Sequence, residues 1–255
     1  MAGFLVSANH NLQPFLLIKV IALSKYPLII GGDHSCYDLD DSSFSYEWEL
    51  NNGTETIIKK GNSSNLENII DSLLKEYKFK IIYIADLNAI MGNKNNFNII
   101  KRVIKKFPQI DFWVDYGVRT FLDFKKFENM PFKTIIGSET LKNIMELKKI
   151  YKHKKKEIIL SLDFKNDFFI GPLKLIKNKK LWPKKIIFMI IDSIGVKKRP
   201  KLIKLKKLGL DLKKDYYLAG GISNNNDINF LKKNGFKGVI LSTAIHEKNI
   251  IYKDL

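Results

Sequence analysis

From about residue 65 the apolar positions of this chain recur in two alternating periods. Stretches with apolar residues three and four apart predict amphipathic helices, and short runs rich in Ile, Val, Phe and Tyr predict buried strands. The spacing predicts helices over residues 66–79, 97–107, 121–127, 141–151, 173–181, 202–212 and 227–234. Between them it predicts strands over 80–87, 110–118, 132–138, 157–164, 185–192, 215–223 and 237–245. Pro108 stops one helix and Gly235 another. Seven strands alternate strictly with helices, and the strands are apolar on both faces. Such runs belong to a parallel sheet covered on both sides. With an eighth strand before residue 65, the pattern predicts an α/β fold of the (β/α)8, or TIM barrel, type.

In a parallel barrel the polar residue that ends each strand points into a common mouth. Here those ends carry Asp86, Asp115, Ser138, Asp163, Asp192, Gly220-Gly221 and Ser242-Thr243. Helix capping is the alternative use for any one of them, since Asp, Ser and Thr are good N-caps. As a set they describe an active-site rim. A faint repeat runs through the same positions. Gly117 and Gly221 are 104 residues apart, as are Ser138 and Ser242, so two similar half-barrels are expected.

Composition changes this picture little. The 255 residues suffice for one large domain, and 45% of them are hydrophobic. The net charge of +18 raises nucleic acid as a partner, but the lysines are dispersed over many segments and form no single stripe. Nucleic acid is therefore not the expected partner. The densest run, Lys152 to Lys156, falls at a helix end, where cations favour the dipole. Cys36 is the only cysteine, which fits a reducing, cytoplasmic location. The apolar run from Phe15 to Leu23 is short and broken by Lys19, so neither a signal peptide nor a membrane span is expected.

The residues YIADLNAIMG (83–92), VDYGVR (114–119), IIGSETL (135–141), LSLDF with a following GP (160–164, 171–172) and LAGGISNNNDINFLKKNGFKGVILSTAI (218–245) carry a resemblance. The chain is similar to the HisA/HisF family, that of the phosphoribosyl-formimino isomerase and the cyclase of histidine biosynthesis. It looks closest to a branch related to the isomerase and found near genes for one-carbon carriers (tetrahydromethanopterin and methanofuran). The resemblance implies an Amadori-type aldose–ketose isomerase acting on a phosphorylated sugar or cofactor precursor. It implies no cofactor and no metal. It places phosphate against Gly220, Gly221, Ser223, Ser242 and Thr243, where glycines let backbone N–H groups approach an anion and a helix begins. A second-half site would comprise Asp86, Gly117, Arg119, Gly137 and Ser138, with Asp192 as a further mouth residue. The chain departs from the family at Ser223, which stands for an arginine-like residue, and at Ser242, which stands for glycine. Asp115 would repel a phosphate at the second-half site.

The implied reaction needs an acid at the ring oxygen and a base for the neighbouring C–H. In the family two carboxylates supply them from the ends of strands one and five. Asp163 matches strand five. Strand one has two readings. In the first it is SYEWELNNG (45–53), with Asn52-Gly53 as a hairpin turn and Glu49 as the catalytic carboxylate. In the second it is LLIKVIAL (16–23), which puts Ala22 at that position. The 37 residues from Glu49 to Asp86 suit one hairpin and one helix, and this favours the first. On it, residues 1–43 are an extension and 44–255 the barrel, and the extension either packs on the barrel exterior or is a disordered arm or a start read too early. GGDHS (31–35) copies a manganese-ligand motif of ureohydrolases, but the other ligand runs are missing. Three classes of function follow: an isomerase, a phosphate-binding scaffold that has lost its base, and a basic nucleic-acid-binding barrel.

Overall fold

The computed structural model describes residues 66–250 apart from 78, 93–94, 154–156, 194–207, 212 and 242–249. It also describes the backbone of strands at 16–23, 36–37, 45–51 and 54–60. In chain order these begin with β1 (Leu16–Leu23), β2 (Cys36–Tyr37), β3 (Ser45–Asn51) and β4 (Thr54–Lys60). The helix α1 (Leu66–Glu76) leads to β5 (Ile81–Asp86), the short α2 (Leu87–Ile90), α3 (Phe97–Lys106) and β6 (Asp111–Asp115). Next come α4 (Phe121–Lys126), β7 (Lys133–Gly137), α5 (Ile144–His153), β8 (Ile158–Lys165), β9 (Phe168–Ile170) and α6 (Leu173–Lys177). The described chain ends with β10 (Lys185–Ile190), β11 (Asp215–Ala219), α7 (Asn225–Lys233) and β12 (Gly238–Leu241). The helix expected over 202–212 lies largely outside the described residues.

Eight of these strands run parallel in the order β1-β5-β6-β7-β8-β10-β11-β12, and β12 pairs back onto β1. The wall is therefore closed, as in a TIM barrel. Alternate residues of each strand serve two cores. Ile81, Tyr83, Trp113, Ile135, Ile159, Ile187, Tyr217 and Ile240 fill the interior, where Trp113 meets Tyr217 edge-on at 5.0 Å. Ile82, Ile84, Phe112, Val114, Ile136, Leu160 and Leu162 face the helices. This division explains why the strand runs are apolar throughout. The helices return their stripes: α1 buries Leu66, Ile70 and Leu73, and α3 buries Ile100, Val103 and Ile104. Among the described residues no helix is long and apolar enough to cross a membrane.

The structure corrects the assignment of strand one. Leu16–Leu23 is the barrel strand, with Ile18 beside Ile81 and Ile240. Residues 16–23 thus belong to the wall and not to an extension packed outside it, and the barrel does not begin at 44. Glu49 lies on β3, which pairs antiparallel with β2 and β4 and with no barrel strand. A strand with seven apolar residues in eight suits a wall covered on both faces, whereas SYEWELN carries two glutamates. The spacing argument failed because it assumed the shortest connection. The chain instead leaves β1 through β2, which pairs beside Ala22 and Leu23, and then makes the β3–β4 hairpin before α1. GGDHS lies outside the described residues.

Candidate active site

Asp163 is buried at the mouth end of the fifth barrel strand, β8. Its Oδ1 accepts a hydrogen bond from Ser161 Oγ at 2.6 Å, and its Oδ2 accepts one from the Glu139 N–H at 3.1 Å. Ser138 Oγ lies 3.0 Å from Oδ2 and accepts from the Asp163 N–H at 2.9 Å. It also lies 2.6 Å from the Ile170 carbonyl oxygen. A hydroxyl has one hydrogen, and the carbonyl can only accept. The hydrogen of Ser138 therefore goes to Ile170, and the contact with Asp163 is best satisfied when the carboxyl carries the proton. Burial also pushes Asp163 above the usual carboxylate range, against the hydrogen bonds donated by Ser161 and the Glu139 N–H. The antiparallel hairpin of β8 and β9, with Asp163 beside Ile170, sets this geometry. The apolar periodicity predicts no hairpin here. Asn166-Asp167, both at positive φ, was its signal.

A second carboxyl faces the same space. Asp115 ends β6 and is buried. A Cβ placed on Gly137 would sit 3.5 Å from Asp115 Oδ2 and 3.5 Å from Asp163 Oδ2, so the two oxygens are separated by no more than twice that distance. The Gly117 N–H donates to Asp115 Oδ1 at 3.0 Å, and the Tyr83 hydroxyl reaches Oδ2 at 3.4 Å. Burial pushes Asp115 up to about 7, helped by the Asp163 and Glu139 charges and opposed by the Gly117 N–H and the Tyr83 hydroxyl. Glu139, at the rim, is pushed to about 7 by partial desolvation and the Asp163 charge, with Lys165 opposing. Tyr83 is raised well above its ordinary value, by burial first and then the carboxylates, and stays a donor.

The structure brings Gly117, Gly137, Ser138 and Asp163 together at this mouth. Asp86 is buried beside it but works as a clamp: it caps α2 through the Ala89 N–H at 3.2 Å and holds Asn96 through N–H and Nδ2 at 2.7 and 2.8 Å. Arg119 donates to the carbonyls of Ala89 at 3.2 Å, Gly117 at 3.0 Å, and Ile90. Asp192 accepts from the Asn166 N–H at 3.1 Å and ties down the β8–β9 turn. For Asp86 the capping alternative describes what the side chain does. Tyr83, Ser161 and Glu139 were not identified from sequence. Tyr83 sits in an apolar run, and its role shows only once β5 and β6 are in register.

In the other half, Ser242 and Thr243 lie outside the described residues. The Gly221 N–H, expected to meet phosphate, donates instead to the Ser193 carbonyl at 2.7 Å. The Ser223 N–H is taken by Asp227 Oδ2 at 3.0 Å, and the Asn226 and Asp227 N–H groups by the N-cap Asn224 at 2.9 and 3.2 Å. At Gly220, with φ +97°, a Cβ would lie 2.4 Å from the Ile190 carbonyl oxygen, so this glycine is required by strand contact. No group of three His, Cys, Asp or Glu side chains among the described residues could hold a metal ion.

A family model described as histidine biosynthesis protein matches residues 51–251. An uncharacterized protein of Methanocaldococcus jannaschii is 36% identical over 177 residues, which cover 68% of this chain and 74% of that protein. The 1-(5-phosphoribosyl)-5-((5-phosphoribosylamino)methylideneamino) imidazole-4-carboxamide isomerase of Bacillus cereus is 26% identical over 191 residues, 70% of this chain and 80% of the isomerase. The isomerase of that name from Pelagibacter ubique is 28% identical over 199 residues, 71% and 81% of the two chains. The matched span holds seven of the eight barrel strands and both buried carboxyls of the mouth, and the chain belongs to the histidine biosynthesis protein family.

Proposed function

We propose that this barrel isomerises a phosphorylated aminoaldose to the corresponding aminoketose, with Asp163 as the general acid. The observation that carries the reading is Asp163 itself. It is a buried carboxyl at a strand end, positioned by Ser161, Ser138 and the Glu139 N–H, and its burial favours the protonated form. Relatives 26–28% identical are named as isomerases of a phosphoribosylamino compound.

The chemistry is a set of balanced proton transfers. Asp163 gives its proton to the sugar ring oxygen as the C1–O bond breaks, and the nitrogen lone pair forms C1=N. A base removes the C2 proton, and the C2–H electrons become C1=C2 while the C=N pair returns to nitrogen. The enol hydroxyl then returns a proton to Asp163, and the base delivers its proton to C1. The cationic iminium formed midway is favoured by a mouth lined with carboxyls in a low-dielectric site.

The substrate carries its phosphate away from strand three in this reading. The Gly117 N–H, which would greet an anion there, is already bonded to Asp115. In the other half the Gly221 and Ser223 N–H groups are bonded within the protein as well, so we assign a single phosphate to the loop after the last strand, at Ser242 and Thr243. The test is turnover of an N-aryl ribosylamine 5-phosphate, made from ribose 5-phosphate and aniline, beside the two-phosphate compound in the relatives' name. Conversion of the single-phosphate probe to its aminoketose is expected. Asp163→Asn should lower kcat by about 100-fold or more, the scale of a general acid. Wild-type protein that converts neither compound would overturn the reading.

A further inference from the structure

We propose that Asp115, at the end of the third barrel strand, is the second proton-transfer group of this site and stands in for the carboxylate that the first strand lacks. The proposal rests on the isomerase reading and adds the base that the reading requires. Strand one cannot supply it. LLIKVIAL contains no Asp or Glu, and the hairpin that carries Glu49 is not part of the barrel wall.

Register shows where the substitute sits. Ala22 of β1 pairs with Ala85 of β5, and Ala85 pairs with Asp115 of β6. The three residues form one rung across neighbouring strands, so Asp115 is level with Ala22 and two strands away. On its other side Asp115 shares the space at Gly137 with Asp163. Glycine contributes no side chain there, so no Cβ stands between the two carboxyls.

The two carboxyls are held for opposite tasks. Proton counting at Ser138 makes Asp163 the donor. Asp115 has Oδ1 fixed by the Gly117 N–H, while among the described residues Oδ2 has only the long 3.4 Å contact from Tyr83 and keeps lone-pair density for a substrate proton. The ionisable groups around it are Tyr83 from the second strand, the adjoining Tyr116, Asp163 from the fifth strand and Glu139 from the loop after the fourth, with Lys165 acting on Glu139. Among the described residues no cation forms an ion pair with Asp115 or Asp163. Burial, helped by the neighbouring carboxyls, pushes Asp115 up to about 7, which makes it a stronger base than an ordinary carboxylate and still partly ionised at neutral pH.

The experiment compares wild type, Asp115→Asn and Asp163→Asn on the N-phenyl ribosylamine 5-phosphate probe, with folding verified by circular dichroism. Asp115→Asn should lose about 100-fold or more in kcat with a small change in KM, and should lose the acidic limb of the kcat profile. It should also fail to exchange the substrate C2 hydrogen with deuterated water. Should Asp115→Asn keep more than about a third of the wild-type kcat while Asp163→Asn is inactive, the isomerase reading survives and the role of Asp115 does not. A second measurement needs no turnover. In protein labelled with carbon-13 at the aspartate carboxyls, Asp115 should titrate near neutrality, and Asp115→Asn should lower the titration of Asp163. An Asp115 that titrates below about 5 overturns the proposal even if the probe is not a substrate.

Discussion

A carboxyl that titrates near 3.8 in the unfolded chain and at about 7 in the fold binds extra protons when folded at every pH between those values. Stability then falls as pH rises through that window and stays reduced above it. Asp115 is such a group, so Asp115→Asn should stabilise the protein. The gain should be on the order of 2–4 kcal/mol at pH 8 and vanish near pH 4, as read by urea denaturation at the two values. Asparagine keeps an acceptor for the Gly117 N–H, so the comparison isolates the charge. Unequal legibility of the site has the same root. Asp163 could be found from LSLDF, because a strand-end carboxylate in an apolar run is a local signal. The position of Asp115 at a strand end was also readable. Its closeness to Asp163 was not, because it depends on two intervening register choices and on Gly137 being side-chain-free. Glu49 was misplaced because a carboxylate near a plausible turn looks alike on a wall strand and on a side hairpin.

At the level of elements, the described strands and helices follow the apolar periodicity closely from residue 66 onward. The exceptions are pieces whose pairing is non-local or very short. The strand β9 has three residues, and only the Asn166-Asp167 turn hints at it. Spacing disfavours β1 as the first wall strand, since nothing in a sequence gives the length of an inserted hairpin. The loops at the strand ends are fixed by close backbone approach. Gly117 has φ +67°, and a Cβ there would lie 2.6 Å from the Ile90 Cα, so the turn after β6 rests directly on α2. Gly117→Ala should therefore cost about 1–3 kcal/mol in a denaturation experiment. It should also lower activity, because the Gly117 N–H orients Asp115.

Over the whole molecule, the charge of +18 and the function occupy different places. The buried ionisable groups at the mouth are acidic, while basic residues line the outer helices. There Arg102 and Lys106 of α3 pair with Glu67 of α1 at 2.5 and 3.2 Å. Such exposed pairs are each worth at most about 1 kcal/mol and do not hold the barrel together. Closure does. Leu16 to Lys19 pair with Gly238 to Leu241 on one side, and Ile18 to Leu23 pair with β5 on the other. Deleting residues 1–23 would leave β5 and β12 as open edges flanking an exposed core. We expect that truncation to be insoluble or to lose its cooperative thermal transition. A soluble product with an unchanged Tm would show that strand one is dispensable.

The join between β1 and β12 also orders events during synthesis. Leu16 leaves the ribosome early, but its partner Gly238 is made more than two hundred residues later. At about 5–20 residues per second, the first strand waits on the order of 10–40 s before the wall can close. Throughout that interval an apolar strand edge has no permanent neighbour, a state prone to pairing with other chains. Temporary shelter would have to come from the side sheet, which pairs with the far end of the same strand, or from a chaperone.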